Sequence, residues 1–268
     1  MKPIIEVKNL TKKYKEIIAV NNISFSVEKG KIIAFLGPNG AGKTTTIKML
    51  TTLLRPTSGS MQINNFDPLK DMEEVRKSFG IVFQDPSLDN ELTAFENLEF
   101  HAIMYQVAKE VRTERIHELL KYVELYDRKD NFVKTFSGGM KRRLEIARGL
   151  IHHPTILFLD EPTLGLDPQT RNRLWDYVLK LNKKEKMTVF LTTHYMEEAD
   201  KVVSIGNMEH VGPKNYRGYF NGAAHCLKPE GLFFVHTIGR HDSAKLGQTD
   251  AWINKYIFRE DICRQLLN

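Results

Sequence analysis

The sequence predicts an α/β fold in which a parallel core sheet is covered by helices on both faces and preceded by an antiparallel N-terminal β unit. Three observations carry this. Short continuous apolar runs, "KIIAFLG" (31–37), "ILFLD" (156–160) and "MTVFLTTH" (187–194), alternate with segments of helical apolar spacing, the pattern of strands buried on both faces. A glycine-rich loop joins the first of these strands to a helix. The first 30 residues instead break into short apolar runs separated by turns, as antiparallel strands do.

In order, "IIEVKNL", "IIAV" and "ISFSV" read as antiparallel strands ending at Lys29 and Gly30. "KIIAFLG" is the first buried strand, and "GKTTTIKMLTTLL" has helical apolar spacing. "RPTSG" is a turn, "MQIN" a short strand and "FGIVFQD" another. From Ala94 to Tyr126 the pattern predicts helix, with Leu98, Ile103, Tyr105, Ile116, Leu119, Leu120 and Val123 as its apolar positions. The strands 156–160 and 187–194 flank a helix from about Pro168 to Lys183.

The 268 residues suffice for one large α/β domain, or for a domain and a partial second. No apolar run approaches the ~20 residues of a membrane span, and the N-terminus lacks the apolar stretch of a secretion signal, so a cytosolic chain is expected. The two cysteines, Cys226 and Cys263, form no CxxC pattern, which speaks against a disulfide framework or a zinc site. The net charge of +6 is spread along the chain, and "KRR" at 141–143 is too short for a basic arm. These charges read as solvated surface, and no nucleic-acid partner is expected.

"GPNGAGKT", Gly37 to Thr44, is a G-x-x-x-x-G-K-[ST] phosphate loop in the required strand–loop–helix setting. Gly37, Gly40 and Gly42 let the backbone around Asn39 turn its N–H groups inward onto phosphate oxygens, and the helix N-terminus at Thr44 and Thr45 adds positive potential. Lys43 can reach β- and γ-phosphates, and the Thr44 hydroxyl can ligate Mg²⁺. "ILFLDEPT" ends a buried strand in two acids, where ligands of parallel sheets bind. Asp160 is placed to hold Mg²⁺ directly or through water, and Glu161 to orient an attacking water. Burying two such acids without partners is costly, which favours a functional reading.

"FSGGMKRRLEIARGL" (136–150), upstream of the acidic strand, resembles the signature motif of ABC-type ATPases, and the family's other motifs follow in order over residues 4 to about 200. The resemblance implies a P-loop NTPase with a helical signature subdomain at about 85–150, using ATP and Mg²⁺. It also implies that Tyr14 stacks on adenine and that Gln84, in "VFQD", ligates the metal site and couples it to a membrane partner. "GLD" (165–167) is similar to the D-loop, and His194 to the switch histidine that meets the γ-phosphate. In the family Ser137, Gly138 and Gly139 close over the nucleotide of a second copy, so a head-to-tail dimer is implied. The signature has Phe136 and Met140 where many members have Leu and Gln. Together with "VFQDPSLDNELTAFENLEFHAIMYQV" this is similar to the drug-resistance and polysaccharide exporter branch. Its ATPase is a separate subunit, here expected at the cytoplasmic face of the plasma membrane, serving an integral-membrane permease.

After Asp200 the pattern changes. "VVSIGNMEHVGPKNYRGYF", "LKPEGLFFVHTIGR" and "WINKYIF" resemble the cyclopropane-fatty-acyl-phospholipid synthases, which are S-adenosylmethionine-dependent methyltransferases. "DKVV" suits both families and marks the expected join. The expected domains are therefore an ATPase at 1–200 and a truncated methyltransferase-like fragment at 201–268. Val202 to Ile205, a helix through Tyr216 to Leu227 and the strand "GLFFVHTI" read as an incomplete β–α–β unit whose former strand partners are absent. By resemblance Glu209, His236 and Ile238 match bicarbonate-binding positions. The glycine-rich loop for S-adenosylmethionine has no counterpart, so no methyl transfer is expected. A chimera that only binds nucleotide, or has no settled activity, is the alternative to a working ATPase.

Overall fold

The computed structural model describes residues 2–37, 40–193, 201–205 and 232–236, the last two segments by their backbone. Two sheets result. Strands β1 (Ile5–Tyr14), β2 (Ile17–Val27) and β4 (Ser58–Ile63) form an antiparallel sheet in the order β2-β1-β4. Strands β3 (Ile32–Leu36), β5 (Phe79–Val82), β6 (Ile156–Asp160), β7 (Thr188–Thr193), β8 (Lys201–Ile205) and β9 (Leu232–His236) form a parallel sheet in the order β5-β6-β7-β3-β8-β9. The apolar runs at 17–20 and 23–27 are one strand, not two. Its pairing with β1 is broken by bulges, where Asn9 and Asn22 take positive φ and Ser24 Oγ accepts from the Asn9 N–H at 2.8 Å.

The parallel strands are apolar throughout because each face meets a different layer. Ile33, Phe35, Ile156, Phe158 and Phe190 point to helix α1 (Lys43–Leu50) and the antiparallel sheet, packing with Ile47, Leu50, Ile5 and Ile23. Their alternates Ile32, Ala34, Leu157, Leu159, Val189 and Leu191 pack under helix α6 (Pro168–Glu185) and the helical subdomain. Phe35, Phe158 and Phe190 bind the centre, the Phe190 ring centroid lying 5.5 Å from those of both Phe35 and Phe158.

The remaining helices are α2 (Met72–Ser78), α3 (Ala94–Met104), α4 (Lys109–Tyr122) and α5 (Gly138–Gly149). The helix expected over 94–126 is therefore two. Thr93 and Glu96 close a capping box at the start of α3. At its end Gln106 turns left-handed at φ 57°, and the Val107 N–H returns to Ala102 O at 2.9 Å. The break turns Ile103 outward, 51% exposed, although its spacing suggested a core position. Tyr105 meanwhile stacks on His152 with centroids 3.9 Å apart.

Helix α5 lies unusually close to β5. A Cβ on Gly80 would stand 2.1 Å from Gly149 O, so neither backbone could approach the other this way with a larger residue at 80. The strands expected near 202–205 and 231–238 are both present in the backbone, β8 parallel to β3 and β9 parallel to β8. The predicted helix through Tyr216 to Leu227, with Glu209 and Ile238, lies outside the described residues, and so does the side chain of His236.

Candidate nucleotide site

The site is built at the carboxyl ends of β3 and β6. Gly42, at φ 86°, caps α1, and a Cβ there would fall 2.3 Å from Ala19 O, so the loop end must be glycine to pass β2. That approach sets the phosphate loop beside the β1–β2 hairpin. Tyr14 closes this hairpin opposite Ile17; its ring is 45% exposed, with Lys12 Nζ 5.1 Å from the ring centroid. Gly40 also has a left-handed φ, of 86°. Asn39 lies outside the described residues, and Thr45 is half-buried in the first turn of α1.

Lys43 and Glu161 are buried together, with Nζ 3.4 Å from Oε1, and the same ammonium donates to Gly37 O at 2.7 Å. Thr44 Oγ1 donates to Asp160 Oδ1 at 3.3 Å, so the loop and the acidic strand end meet in this contact. A hydroxyl and a carboxylate oxygen so placed are hard donors of the kind Mg²⁺ takes. Gln84 sits exposed two residues beyond β5. The structure thus brings Lys43, Thr44, Asp160 and Glu161 together, while Gln84 stands on a separate loop. His194 lies outside the described residues.

Ser137 and Gly138 are exposed at the other end of the helical subdomain. Ser137 caps α5 by accepting from Met140 N–H at 3.3 Å. Gly139 is constrained from within, since a Cβ would lie 2.5 Å from Thr170 Cγ2. Gly138 is not: a Cβ there would meet nothing within 4 Å. Asp167 of the expected D-loop caps α6 by accepting from Thr170 N–H at 2.9 Å, and its bonds with Thr170 hold its carboxyl below the usual range.

Three participants escaped the sequence reading. Thr192, fully buried, donates to Asp160 Oδ1 at 2.6 Å and accepts the Glu161 N–H at 2.9 Å. Its signal was a threonine near the end of a strand that also carries Thr188 and Thr193. Arg142 and Glu145 are buried and paired at 3.0 Å. Reading "KRR" as solvated surface fails at Arg142, because four acceptors surround its guanidinium: Glu145 Oε2, Phe83 O, Pro162 O at 2.9 Å and Asp160 O at 3.1 Å. Burial works against its charge and Glu145 supports it.

A phosphate loop on a parallel strand, a lysine against a glutamate and a threonine bonded to the neighbouring aspartate define a P-loop nucleoside triphosphatase. The ABC transporter profile matches residues 20–164, and the chain belongs to that family. It is 40% identical over 217 residues to the linearmycin resistance ATP-binding protein LnrL of Bacillus subtilis, covering 79% of this chain and 70% of that protein. It is 42% identical over 198 residues to the daunorubicin/doxorubicin resistance ATP-binding protein DrrA of Streptomyces peucetius, covering 74% of this chain and 60% of that one. A dimeric structure of MJ0796, a bacterial ABC transporter cassette, superposes with a TM-score of 0.68 at 32% identity, over 75% of this chain and 94% of the cassette. The cbiO1 subunit of Clostridium perfringens, part of a cbiONQ ABC transporter complex, gives 0.71 at 27% identity, over 82% of this chain and 95% of its own.

A second profile, that of mycolic acid cyclopropane synthetase, matches residues 166–263. Its span begins well before the join expected near residue 200. Yet β7 lies inside that span and is hydrogen-bonded between β6 and β3 in the middle of the parallel sheet. An alignment of 217 residues to LnrL likewise runs past residue 164. Helix α6 and strand β7 therefore pack into the same sheet and core as the phosphate-loop strand.

Proposed function

We propose that the chain is the ATP-binding and ATP-hydrolysing subunit of an ABC exporter, acting as a head-to-tail pair of copies beside an integral-membrane permease. The observation that carries this is the contact of Thr44 with Asp160, with Lys43 against Glu161, at the strand ends. ATP is the substrate. The loop N–H groups and Lys43 would receive its phosphates, Lys43 exchanging Gly37 O and Glu161 for phosphate oxygens. Glu161, relieved of that pairing, accepts a hydrogen bond from the attacking water and holds it in line. Thr44 and Asp160 would hold Mg²⁺, which when bound neutralises charge on the phosphate oxygens. Tyr14 offers its exposed ring to adenine, and Gln84 and His194 carry the coupling and γ-phosphate roles that the family likeness assigns them.

The second copy is supported by Gly138, for which nothing among the described residues requires glycine, at an exposed helix N-terminus suited to anions. The solved MJ0796 cassettes are dimers. Export is supported by the branch of the relatives, which are named for linearmycin, daunorubicin and doxorubicin resistance and for Nod factor export. Among the described residues no helix is long and apolar enough to cross a membrane. We place the chain at the cytoplasmic face of that permease. Residues 1–200 form the ATPase in this reading, and 201–268 a methyltransferase-like segment to which no methyl transfer is assigned.

The test is MgATP turnover by the full chain and by Glu161→Gln. Turnover that drops by about a hundredfold or more in the variant supports the reading. Soluble protein that binds ATP but turns over no faster than Glu161→Gln would make the chain a nucleotide-binding chimera instead.

A further inference from the structure

Glu161 has a φ of 47°, in the left-handed region that residues other than glycine uncommonly adopt. Three backbone groups around it are held. Its own N–H goes to Thr192 Oγ1 at 2.9 Å. The carbonyls on either side, Asp160 O and Pro162 O, both accept from one guanidinium, that of Arg142, at 3.1 and 2.9 Å. The same group also donates to Phe83 O, the residue before Gln84. Arg142 stands on α5, whose N-terminus presents Ser137 and Gly138. Along the same helix Glu145 Oε1 accepts the Ser87 N–H at 2.9 Å, and Arg148 donates to Ser87 O at 2.6 Å. The Gly80–Gly149 contact brings the helix near enough for these side chains to reach.

We propose that Arg142 is a positioning residue for hydrolysis: its guanidinium spans the carbonyls flanking Glu161, fixes that residue's left-handed backbone, and ties it to the Gln84 loop and the signature helix. This rests on the ATPase reading above. A guanidinium is suited to the task because its donors form a rigid planar fork, whereas an ammonium at the end of a flexible stem cannot hold carbonyls on both sides of a residue in fixed relation. A displacement of Glu161 by even about 1 Å is enough to cost roughly a hundredfold in turnover. The nucleotide contacts of the phosphate loop do not pass through Arg142, so binding is spared.

The experiment compares the full chain with Arg142→Lys in MgATP turnover over a range of ATP concentrations, with thermal unfolding alongside. MgATP affinity is measured by calorimetry in Glu161→Gln and in Glu161→Gln/Arg142→Lys, where no hydrolysis interferes. The expected result is a fall in kcat of roughly tenfold to a hundredfold, with KM and MgATP affinity within about threefold of their references and a Tm little changed. Should Arg142→Lys be insoluble, Arg142→Gln, which is neutral and reaches one carbonyl, carries the same comparison. A kcat within about twofold of wild type overturns the proposal. So does a loss of kcat matched by losses of MgATP affinity and Tm, which makes Arg142 a folding residue only. A wild-type chain no faster than Glu161→Gln fails at an earlier step and overturns the ATPase reading and this inference together.

Discussion

Replacing Thr192 by valine removes one oxygen and nearly conserves shape, which isolates the hydroxyl's role. Two bonds are lost. One is the 2.6 Å donation to Asp160 Oδ1, a charge-assisted bond of about 1.5–3 kcal/mol. The other is the acceptor for the buried Glu161 N–H, and leaving that group unsatisfied costs about 1–3 kcal/mol. Relaxation will recover part of this, so about 3 kcal/mol is expected in denaturant unfolding. Thr192→Ser is the control: it keeps the oxygen and deletes one buried methyl, worth about 1 kcal/mol. Because Thr192 and Arg142 hold opposite sides of the same backbone, turnover should fall at least about tenfold in Thr192→Val and much less in Thr192→Ser. The assay is paired urea titration and MgATP turnover. If the valine variant is no less stable and no slower than the serine variant, the hydroxyl network does not hold the acidic pair, and the account of how Glu161 is oriented fails.

Two further outcomes follow from other parts of the chain. Burial depresses both His101 and His152 to a pKa of about 4, with neighbouring Arg148 and Arg115 adding to the effect, so the folded protein holds them neutral while the unfolded chain protonates them below about 6.5. The unfolded state then binds more protons, and stability should fall between pH 6.5 and 4, by roughly 1 kcal/mol for each histidine at pH 5.5; urea midpoints at pH 7.5 and 5.5 for the wild type and His152→Gln read this directly. At the signature, Gly139→Ala should destabilise the isolated chain, because its methyl meets Thr170 Cγ2 at 2.5 Å, whereas Gly138→Ala should leave Tm unchanged yet abolish turnover that rises with protein concentration.

The strands and the cluster of Lys43, Thr44, Asp160 and Glu161 were legible because they depend on short-range patterns. A buried parallel strand must be apolar on both faces, so β3, β6 and β7 announce themselves, and Lys43, Thr44, Asp160 and Glu161 occur in fixed local spacings beside them. What was not legible depends on pairs far apart in sequence. Nothing near Arg142 reveals that Phe83 O, Asp160 O and Pro162 O converge on it; beside two other cations it looked like solvated surface. Gly80 and Gly149 lie 69 residues apart, and only their contact shows why Gly80 is glycine. The α3–α4 break had no glycine or proline to mark it, because Gln106 takes the left-handed position and the Val107 N–H completes the cap. Thr192 was one of three threonines in β7, and nothing local set it apart from Thr188 and Thr193.

The tail can be set beside this architecture because of what a parallel sheet demands at its edge. Strand β3 must pair on both sides, with β7 through Ile32↔Val189 to Leu36↔Thr193 and with β8 through Ile33↔Lys201 to Leu36↔Ser204. Any extended apolar segment arriving in parallel satisfies the second ladder, since the backbone groups being paired carry no record of the family they come from. "KVVSI" meets that requirement for a P-loop ATPase and for a methyltransferase alike, and β9 repeats it one strand further out, from Lys201↔Leu232 to Ile205↔His236. The acidic end of β6 lies on the other side of β3, with β3 and β7 between it and the change of sequence pattern at β8. A join at β8 therefore leaves the ladder beside the phosphate loop paired and the acidic strand end untouched. This is why the chain can belong to one family through its site and resemble another through its edge. It also locates the sensitive point: shortening β8 would strip β3, the strand that delivers the phosphate loop, of one of its two neighbours.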